Sequence, residues 1–181
     1  MLGDTDGDLI SFDDYVHARK NINADFWLTK VNTDGDITWQ HTYHDFGYSF
    51  PENIIETSEG NLAFCGYNWR YSGEFPHIYV QMADAMGTSQ WIHSDVNNST
   101  QAHSIAETFD NSLVVVGGYQ LTYTFQSSQY KFDKAGNRLW ERLTEESFAY
   151  LVNKTVVPTA GGGFFINFQK AKIHNLPPGG G

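Results

Sequence analysis

An internal repeat constrains the fold of this sequence more than any other feature. Residues 26–67, 77–119 and 129–168 carry the same landmarks in the same order. A glycine precedes a tryptophan by four residues in every copy, and a threonine then precedes a second turn. These landmarks are Gly35/Trp39, Gly87/Trp91 and Gly136/Trp140, followed by Thr57, Thr108 and Thr159. A fixed period of this length is typical of solenoids and propellers, in which each repeat buries its apolar face against its neighbours.

Each copy contains four short runs rich in β-branched and aromatic residues. In the first copy the runs are FWLTKV, ITWQHTY, ENIIET and NLAFCGY. They are separated by turns such as TDGD and SEGN, whose glycines supply the positive φ that tight hairpins need. The pattern predicts four antiparallel strands per copy, which is one blade of a β-propeller.

The sequence therefore predicts an all-β protein, a partial β-propeller or open arc with three full repeats and part of a fourth. We assign 1–25 to the end of a preceding blade, 26–76, 77–127 and 128–169 to three blade repeats, and 170–181 to a flexible tail. Propellers close with about four to eight blades. We therefore expect further repeats, or a second chain, to complete the ring.

Charge narrows the classes of partner. The chain has 11 Lys+Arg against 21 Asp+Glu, a formal charge of −10. Nucleic-acid binding needs a basic face, so no nucleic-acid partner is expected.

No run approaches the roughly 20 apolar residues of a membrane span, so no membrane insertion is expected. The single cysteine, Cys65, lies in the apolar run LAFCGY and is predicted to pack in the core.

The pattern FWLTKVNTDGDITWQHTY…IIETSEGNLAFCGY resembles the roughly 50-residue propeller repeats of bacterial secreted and cell-surface proteins, common in Bacteroidetes-type species. The resemblance covers residues 5–168 and is weakest in the third copy, which lacks the second glycine pair. It implies a β-propeller, an extracellular or cell-surface location and no enzymatic role. The repeat motif of such families is structural, so the resemblance assigns no functional residue.

The acidic start of the chain has two interpretations. Asp4, Asp6 and Asp8 alternate like the first ligands of an EF-hand or dockerin loop, and Asp14 stands near the terminal position. However, Leu9 occupies the place of the expected glycine. The recurrence of TDGD at residues 33–36 favours a repeat turn instead. Calcium is therefore the one candidate cofactor, and no other is expected.

The segments that join the copies are unusually aromatic. Trp69 and Tyr71 follow the first copy, and Tyr123 follows the second. Loops on a rigid scaffold often carry binding residues, and exposed aromatic rings anchor ligands. We predict a ligand-binding role for these three residues. The alternative is that their rings are buried between blades.

Two further patterns concern the strand that carries each tryptophan. His41 and His93 follow their tryptophans by two residues, and Arg142 holds the equivalent place. The spacing does not provide the three or four converging ligands of a zinc site, so we predict solvent-facing basic positions. The tryptophans themselves are predicted to pack between blades.

Taken together, these features predict a non-enzymatic extracellular scaffold that binds protein or glycan through loops at the blade edges. Two other classes stay open. One is the propeller domain of an enzyme with an axial site, which requires polar residues recurring at axis-facing positions. The other is a calcium-dependent adhesion module that uses residues 4–14.

Overall fold

The computed structural model describes residues 25–43, 48–69, 75–95, 99–120, 124–144 and 150–171. In these residues the regular structure consists of strands. The strands are β1 (Phe26–Val31), β2 (Ile37–Tyr43), β3 (Tyr48–Glu56), β4 (Leu62–Trp69), β5 (His77–Ala83), β6 (Ser89–Asp95), β7 (Thr100–Glu107), β8 (Leu113–Gln120), β9 (Phe125–Phe132), β10 (Arg138–Leu143), β11 (Tyr150–Pro158) and β12 (Phe164–Ala171). The prediction of an all-β fold is confirmed.

The strands form four antiparallel sheets in chain order. Sheet 1 contains β1–β2, sheet 2 contains β3–β6, sheet 3 contains β7–β10 and sheet 4 contains β11–β12. Four antiparallel strands per sheet were expected. The boundaries of the sheets, however, differ from those expected for the blades. Each four-stranded sheet takes two strands from one sequence repeat and two from the next, so the blade predicted at 26–76 is divided between sheets 1 and 2. A repeat fixes the period of the structure but not its phase, because the period alone does not say which neighbouring strands exchange hydrogen bonds.

The sheets are stacked face to face, and one apolar cluster lies at each interface. The largest cluster lies between sheets 2 and 3 and includes Cys65, Val80, Val115, Tyr130 and Phe132. Phe26, Phe64 and Tyr79 lie in the cluster between sheets 1 and 2. Val114, Val116 and Val156 lie in the cluster between sheets 3 and 4. The core position predicted for Cys65 is confirmed, since its side chain is fully buried.

Burial on both faces explains the composition of the middle strands. β5 is buried at every position, and residues Leu113–Val116 of β8 are equally enclosed. Strands covered on both sides read as continuous apolar runs, whereas half-exposed strands alternate apolar and polar residues. The stacking of the sheets therefore explains the continuous apolar runs LAFC and LVVV.

The turn glycine Gly136 is a point of contact between sheets 2 and 3. Gly136 lies in the turn after β9 with a φ of 85°. The ring of Trp91, on β6 of the preceding sheet, covers it so closely that an added Cβ would lie 2.6 Å from the ring. The indole Nε1 of Trp91 donates a hydrogen bond of 3.0 Å to the carbonyl of Lys134. The predicted packing role of Trp91 is confirmed.

A second kind of contact between neighbouring sheets lies next to a β-bulge, which recurs in β3, β7 and β11. β3, β7 and β11 each shift register at residues 51 apart, at Glu52, His103 and Lys154. After the bulge in β7, the amide of Ile105 donates to Asn53 Oδ1 in sheet 2 at 3.1 Å. After the bulge in β11, the amide of Val156 donates to Ser104 Oγ in sheet 3 at 3.2 Å. Each of these hydrogen bonds satisfies a backbone amide of one sheet with a side chain of the preceding sheet.

Candidate functional site

The hairpin turns of neighbouring sheets meet at one end of the stack. In an antiparallel sheet of four consecutive strands, the first and third turns lie at the same end. Contacts across the interfaces bring these ends together in successive sheets. His41 Nε2 lies 2.8 Å from the carbonyl oxygen of Met86, and Lys134 Nζ lies 3.1 Å from Glu59 Oε1. We call this end of the stack the turn surface; it comprises residues 32–36, 57–61, 84–88, 108–112, 133–137 and 159–163.

These turns share one backbone design. In each, the first residue's amide donates to the carbonyl of the fifth, and the fourth residue's amide donates to the carbonyl of the first. The fourth residue has a positive φ, and it is glycine in five turns of the described chain. In the turn TFDNS it is Asn111, with a φ of 57°. Asparagine tolerates this conformation better than most residues but less well than glycine.

The exceptional turn lies between two adjoining cavities. One, of about 210 Å³, is bounded by Thr57, Glu59, Gln90 and Lys134 and by the turn 133–137. The other, of about 430 Å³, extends across Phe109 to Pro158 and Thr159 of sheet 4. Glu107 and Asn111 line both cavities. We call the combined depression the turn groove.

Phe109 gives the turn groove an exposed aromatic ring. Its side chain is 82% exposed at the tip of the turn. Thr108 and Asp110, on either side, hold the turn in place: the hydroxyl of Thr108 donates to Asp110 Oδ1 at 2.6 Å and to the carbonyl of Ser112 at 2.9 Å. The ring is therefore presented on an ordered backbone, at little entropic cost to a ligand that covers it.

Two carboxylates, Glu107 and Asp110, lie on either side of Phe109 in the chain, and each has an identified partner. Glu107 accepts hydrogen bonds from the amide and the hydroxyl of Ser58 in sheet 2, at 2.6 and 2.9 Å. Lys131 Nζ lies 2.6 Å from Asp110 Oδ2. The hydrogen bonds from Lys131 and from the Thr108 hydroxyl hold the pKa of Asp110 well below its usual range. Glu107 therefore gives the groove a fixed hydrogen-bond acceptor in the same cavity as the ring of Phe109.

A charged network crosses the interface of sheets 2 and 3 away from the turn groove. Arg138 NH1 lies 3.2 Å from Asp95 Oδ2 and 3.0 Å from Glu141 Oε2. The hydroxyl of Tyr130, deep in the core, donates to Glu141 Oε1 at 3.2 Å. Burial lowers the pKa of His93, with the positive charge of Arg138 as the second cause. Because its charges are paired with one another, this network serves the interface between the sheets.

The two histidines predicted to face solvent are partly buried instead. The ring of His41 packs on Gly87 of sheet 2, and His93 lies 4.8 Å from the ring centroid of Phe132 in sheet 3. The prediction was wrong because the histidines share a strand face with the packing tryptophans: residues two apart in a strand point the same way. Arg142, at the equivalent place on β10, is exposed.

A polar pair also lies at the bulges. His103 Nδ1 is 3.8 Å from Glu52 Oε2, and the Tyr67 ring lies edge-on to His103 with the centroids 6.5 Å apart. An axial enzyme site would require the same polar residue to recur at equivalent positions of β3, β7 and β11. The residue at the bulge differs from strand to strand, and the pair of His103 and Glu52 links sheet 3 to sheet 2.

The residues proposed from sequence lie elsewhere. Trp69 ends β4 with 38% of its side chain exposed. Tyr71 and Tyr123 lie outside the described residues, as do Asp4, Asp6, Asp8 and Asp14. Sequence reasoning missed Phe109 and Asn111. The signal that could have found them is the departure of TFDNS from the glycine of the other turns.

Within the described segments no three His, Cys, Asp or Glu side chains are grouped to hold a metal ion. The same segments contain no helix with the length and apolarity needed to cross a membrane. No protein-family model matches the chain, and no curated protein matches it.

Proposed function

We propose that this chain is a β-propeller segment that serves as a non-enzymatic binding scaffold and holds its ligand, a protein or a glycan, in the turn groove. The observation that carries the proposal is the turn 108–112. It departs from the glycine rule of its counterparts, lines both cavities through Asn111, and presents Phe109 at the cavity of about 430 Å³. Departures from a local rule are expected at functional positions, where a conformational cost is accepted for the placement of a side chain.

The stacking of the sheets supports the propeller interpretation. Successive sheets repeat the same contacts: a side chain over the turn glycine, a polar side chain on the amide after the bulge, and an apolar cluster at each interface. Such nearest-neighbour contacts hold an array rigid. A rigid array can present turns from several sheets as one surface.

The chemistry of the turn groove favours binding over catalysis. Glu107 and Glu59, which line the groove, are engaged with Ser58 and Lys134. Asp110, next to Phe109 in the chain, is engaged with Lys131. A carboxylate that acts as a general acid or base has to exchange protons near neutral pH, whereas the pKa of Asp110 is held low. An exposed ring beside fixed acceptors instead suits stacking and hydrogen bonding. We place the scaffold outside the cell, as the resemblance to secreted repeat proteins implies.

The test screens the chain against an immobilised glycan panel and a displayed random-peptide library. Phe109→Ala removes the exposed ring, and Met86→Ala is the matched control, because Met86 is 63% exposed on another turn and does not line the groove. We expect ligands that bind the parent and Met86→Ala but lose at least tenfold in affinity for Phe109→Ala. Recovered ligands should be chemically unchanged. Ligands that bind all three proteins equally would place binding elsewhere, and ligand turnover would contradict the non-enzymatic role.

A further inference from the structure

The turn groove contains two equivalent places, and a carboxylate of the chain itself occupies one of them. In the first, Glu107 of sheet 3 accepts hydrogen bonds from the amide and the hydroxyl of Ser58, at 2.6 and 2.9 Å. Phe109 stands 51 positions after Ser58. Pro158 stands 51 positions after Glu107. All four residues line the cavity of about 430 Å³, so one cavity holds two chemically different versions of the same contact.

The register of the hairpins shows that Pro158 stands in sheet 4 where Glu107 stands in sheet 3. Glu107 pairs with Leu113 directly before the turn of sheet 3. Pro158 pairs with Phe164 directly before the turn of sheet 4. Proline has no carboxylate to offer, and within the described residues the amide of Phe109 has no hydrogen-bond acceptor. The second place therefore presents a backbone donor, an open cavity and an exposed ring.

We propose that the ligand of the turn groove is a neutral oligosaccharide, one of whose oxygen atoms accepts a hydrogen bond from the amide of Phe109. That oxygen takes the place that the Glu107 carboxylate fills at Ser58. The inference rests on the proposed binding role of the groove and names the class of ligand. A ligand that covers the ring also covers the amide, and a donor excluded from water without an acceptor is costly, so the ligand has to supply one.

The charges around the cavity favour a neutral acceptor over an anion. Glu107 and Glu59 line the groove, and Asp110 follows Phe109 in the chain. Lys134 also lines the groove, but it is paired with Glu59. A ligand carboxylate or phosphate at the amide of Phe109 would lie close to carboxylates of the protein, and like charges repel in a partly enclosed cavity. A sugar hydroxyl or acetamide oxygen accepts the same hydrogen bond without this repulsion.

The polar lining of the groove favours a sugar over a protein segment. Each sugar hydroxyl both donates and accepts, so it can use carboxylates, side-chain amides and the amide of Phe109 together. The C–H face of a sugar ring can stack on the exposed aromatic ring. The centres of protein–protein interfaces are instead apolar and depleted in charged residues. Planar carboxylate and amide side chains line the groove at Glu59, Asn61, Gln90, Glu107 and Asn111.

Pro158→Glu tests the contact directly, because it restores the carboxylate that sheet 3 has at residue 107. The backbone nitrogen of residue 158 points away from β12, since the amide of the next residue, Thr159, bonds Gly163 and hydrogen-bonded pairs alternate along a hairpin. The strand therefore accepts a glutamate as it accepts the proline. We expect slower hydrogen exchange at the amide of Phe109 and at least about a tenfold loss of affinity for a neutral oligosaccharide.

Val157→Glu is the matched control for the added charge. Val157 is 51% exposed, and its side chain lies on the opposite face of β11 from that of Pro158. We expect this variant to bind the oligosaccharide as the parent does and to leave the exchange of the Phe109 amide unchanged. Circular dichroism shows whether both variants are folded. In the parent, the bound oligosaccharide should itself slow exchange at Phe109, a measurement that needs no variant.

The class of ligand is tested with a panel that pairs neutral oligosaccharides with uronic-acid oligosaccharides of equal length, beside the random peptides. We expect neutral oligosaccharides to bind, with an affinity that does not change between about 50 and 500 mM NaCl, because no ligand charge is screened. A panel in which no neutral oligosaccharide binds would overturn the proposal. So would a neutral oligosaccharide that binds Pro158→Glu and Val157→Glu equally, or that leaves the Phe109 amide unprotected.

The failure of this assignment is distinguishable from the failure of the proposed function. Acidic oligosaccharides or peptides that bind in place of neutral sugars, and still depend on Phe109, would overturn the neutral-sugar assignment and leave the turn groove as the binding site. Ligands that do not distinguish Phe109→Ala from Met86→Ala would overturn both. Unchanged exchange of the Phe109 amide in Pro158→Glu would overturn the equivalence of residues 107 and 158.

Discussion

The contact of Trp91 with the next sheet provides the most direct test of how the stack is held together. Its ring covers Gly136, lies 6.3 Å from the Phe132 ring centroid and donates a hydrogen bond to the carbonyl of Lys134. Trp91→Ala removes all three contacts at the interface between sheets 2 and 3. The contacting groups belong to both sheets, so the substitution weakens the association of sheets 2 and 3.

The magnitude follows from the buried area. A tryptophan buries about 150–250 Å², and each Å² contributes about 25 cal/mol, which gives about 4–6 kcal/mol as an upper bound. The ring is partly exposed and alanine keeps one methyl group, so the apolar loss is about 2–3 kcal/mol. The indole hydrogen bond adds about 1 kcal/mol. We expect the free energy of unfolding to fall by about 3 kcal/mol and the Tm by roughly 6–12 °C.

Urea denaturation followed by far-ultraviolet circular dichroism measures this change without depending on the tryptophan that is removed. Trp27→Ala is the control, since Trp27 is 62% exposed in the isolated chain. We expect the control to stay within about 0.5 kcal/mol of the parent. If Trp91→Ala and Trp27→Ala unfold at the same urea concentration, Trp91 does not hold the sheets together.

Three further predictions concern the close backbone contact, the buried histidine and the acidic start. Gly117→Ala should destabilise the chain by more than about 2 kcal/mol in urea denaturation, because the new Cβ would overlap the carbonyl of Gln101 at the bulge. Burial lowers the pKa of His93, so its contribution to stability is present above about pH 6.5 and is lost as the pH falls towards the folded-state value. His93→Gln should therefore reduce the fall in Tm between pH 7 and pH 5. Chelation of calcium should leave the Tm unchanged if residues 4–14 form a repeat turn.

Each of these has a matched control and a contrary result. Gly161→Ala has open space around the new Cβ and should be nearly neutral, so equal losses in both glycine variants would refute the overlap argument. His41→Gln controls for loss of a histidine on the equivalent strand. An unchanged pH profile in His93→Gln would show that this ring does not titrate on unfolding. A Tm that falls with chelator and recovers with calcium would support the calcium loop, because a ligand bound only by the folded state stabilises it.

The strands were predictable from sequence because their signals are local. FWLTKV and ITWQHTY coincide with β1 and β2 at every residue. Gly35, Gly60 and Gly136 have the positive φ that their turn sequences predicted. Turn chemistry and β-branched content act within a few residues, so a sequence window contains them completely.

The turn groove was not predictable in the same way. Phe109 and Glu107 lie on sheet 3, whereas Ser58, Glu59 and Lys134 reach the groove from two other turns. Only the stacking of sheets brings those turns within hydrogen-bonding distance. The aromatic residues of the connecting segments are evident from composition alone. The departure at Asn111 is evident only when the turn TFDNS is compared with the equivalent turns.

The sequence by itself determined the strands, the turns, the repeat period and the antiparallel four-stranded unit. The tertiary structure decided the phase, since β4 pairs with β5 and β2 does not pair with β3 in the described chain. It also decided that His41 and His93 lie between sheets, and that Gly136 packs against Trp91 of the preceding sheet. The physical reason is that backbone propensity acts along the chain, whereas pairing and burial depend on residues about 50 positions away, whose approach only the packed stack defines.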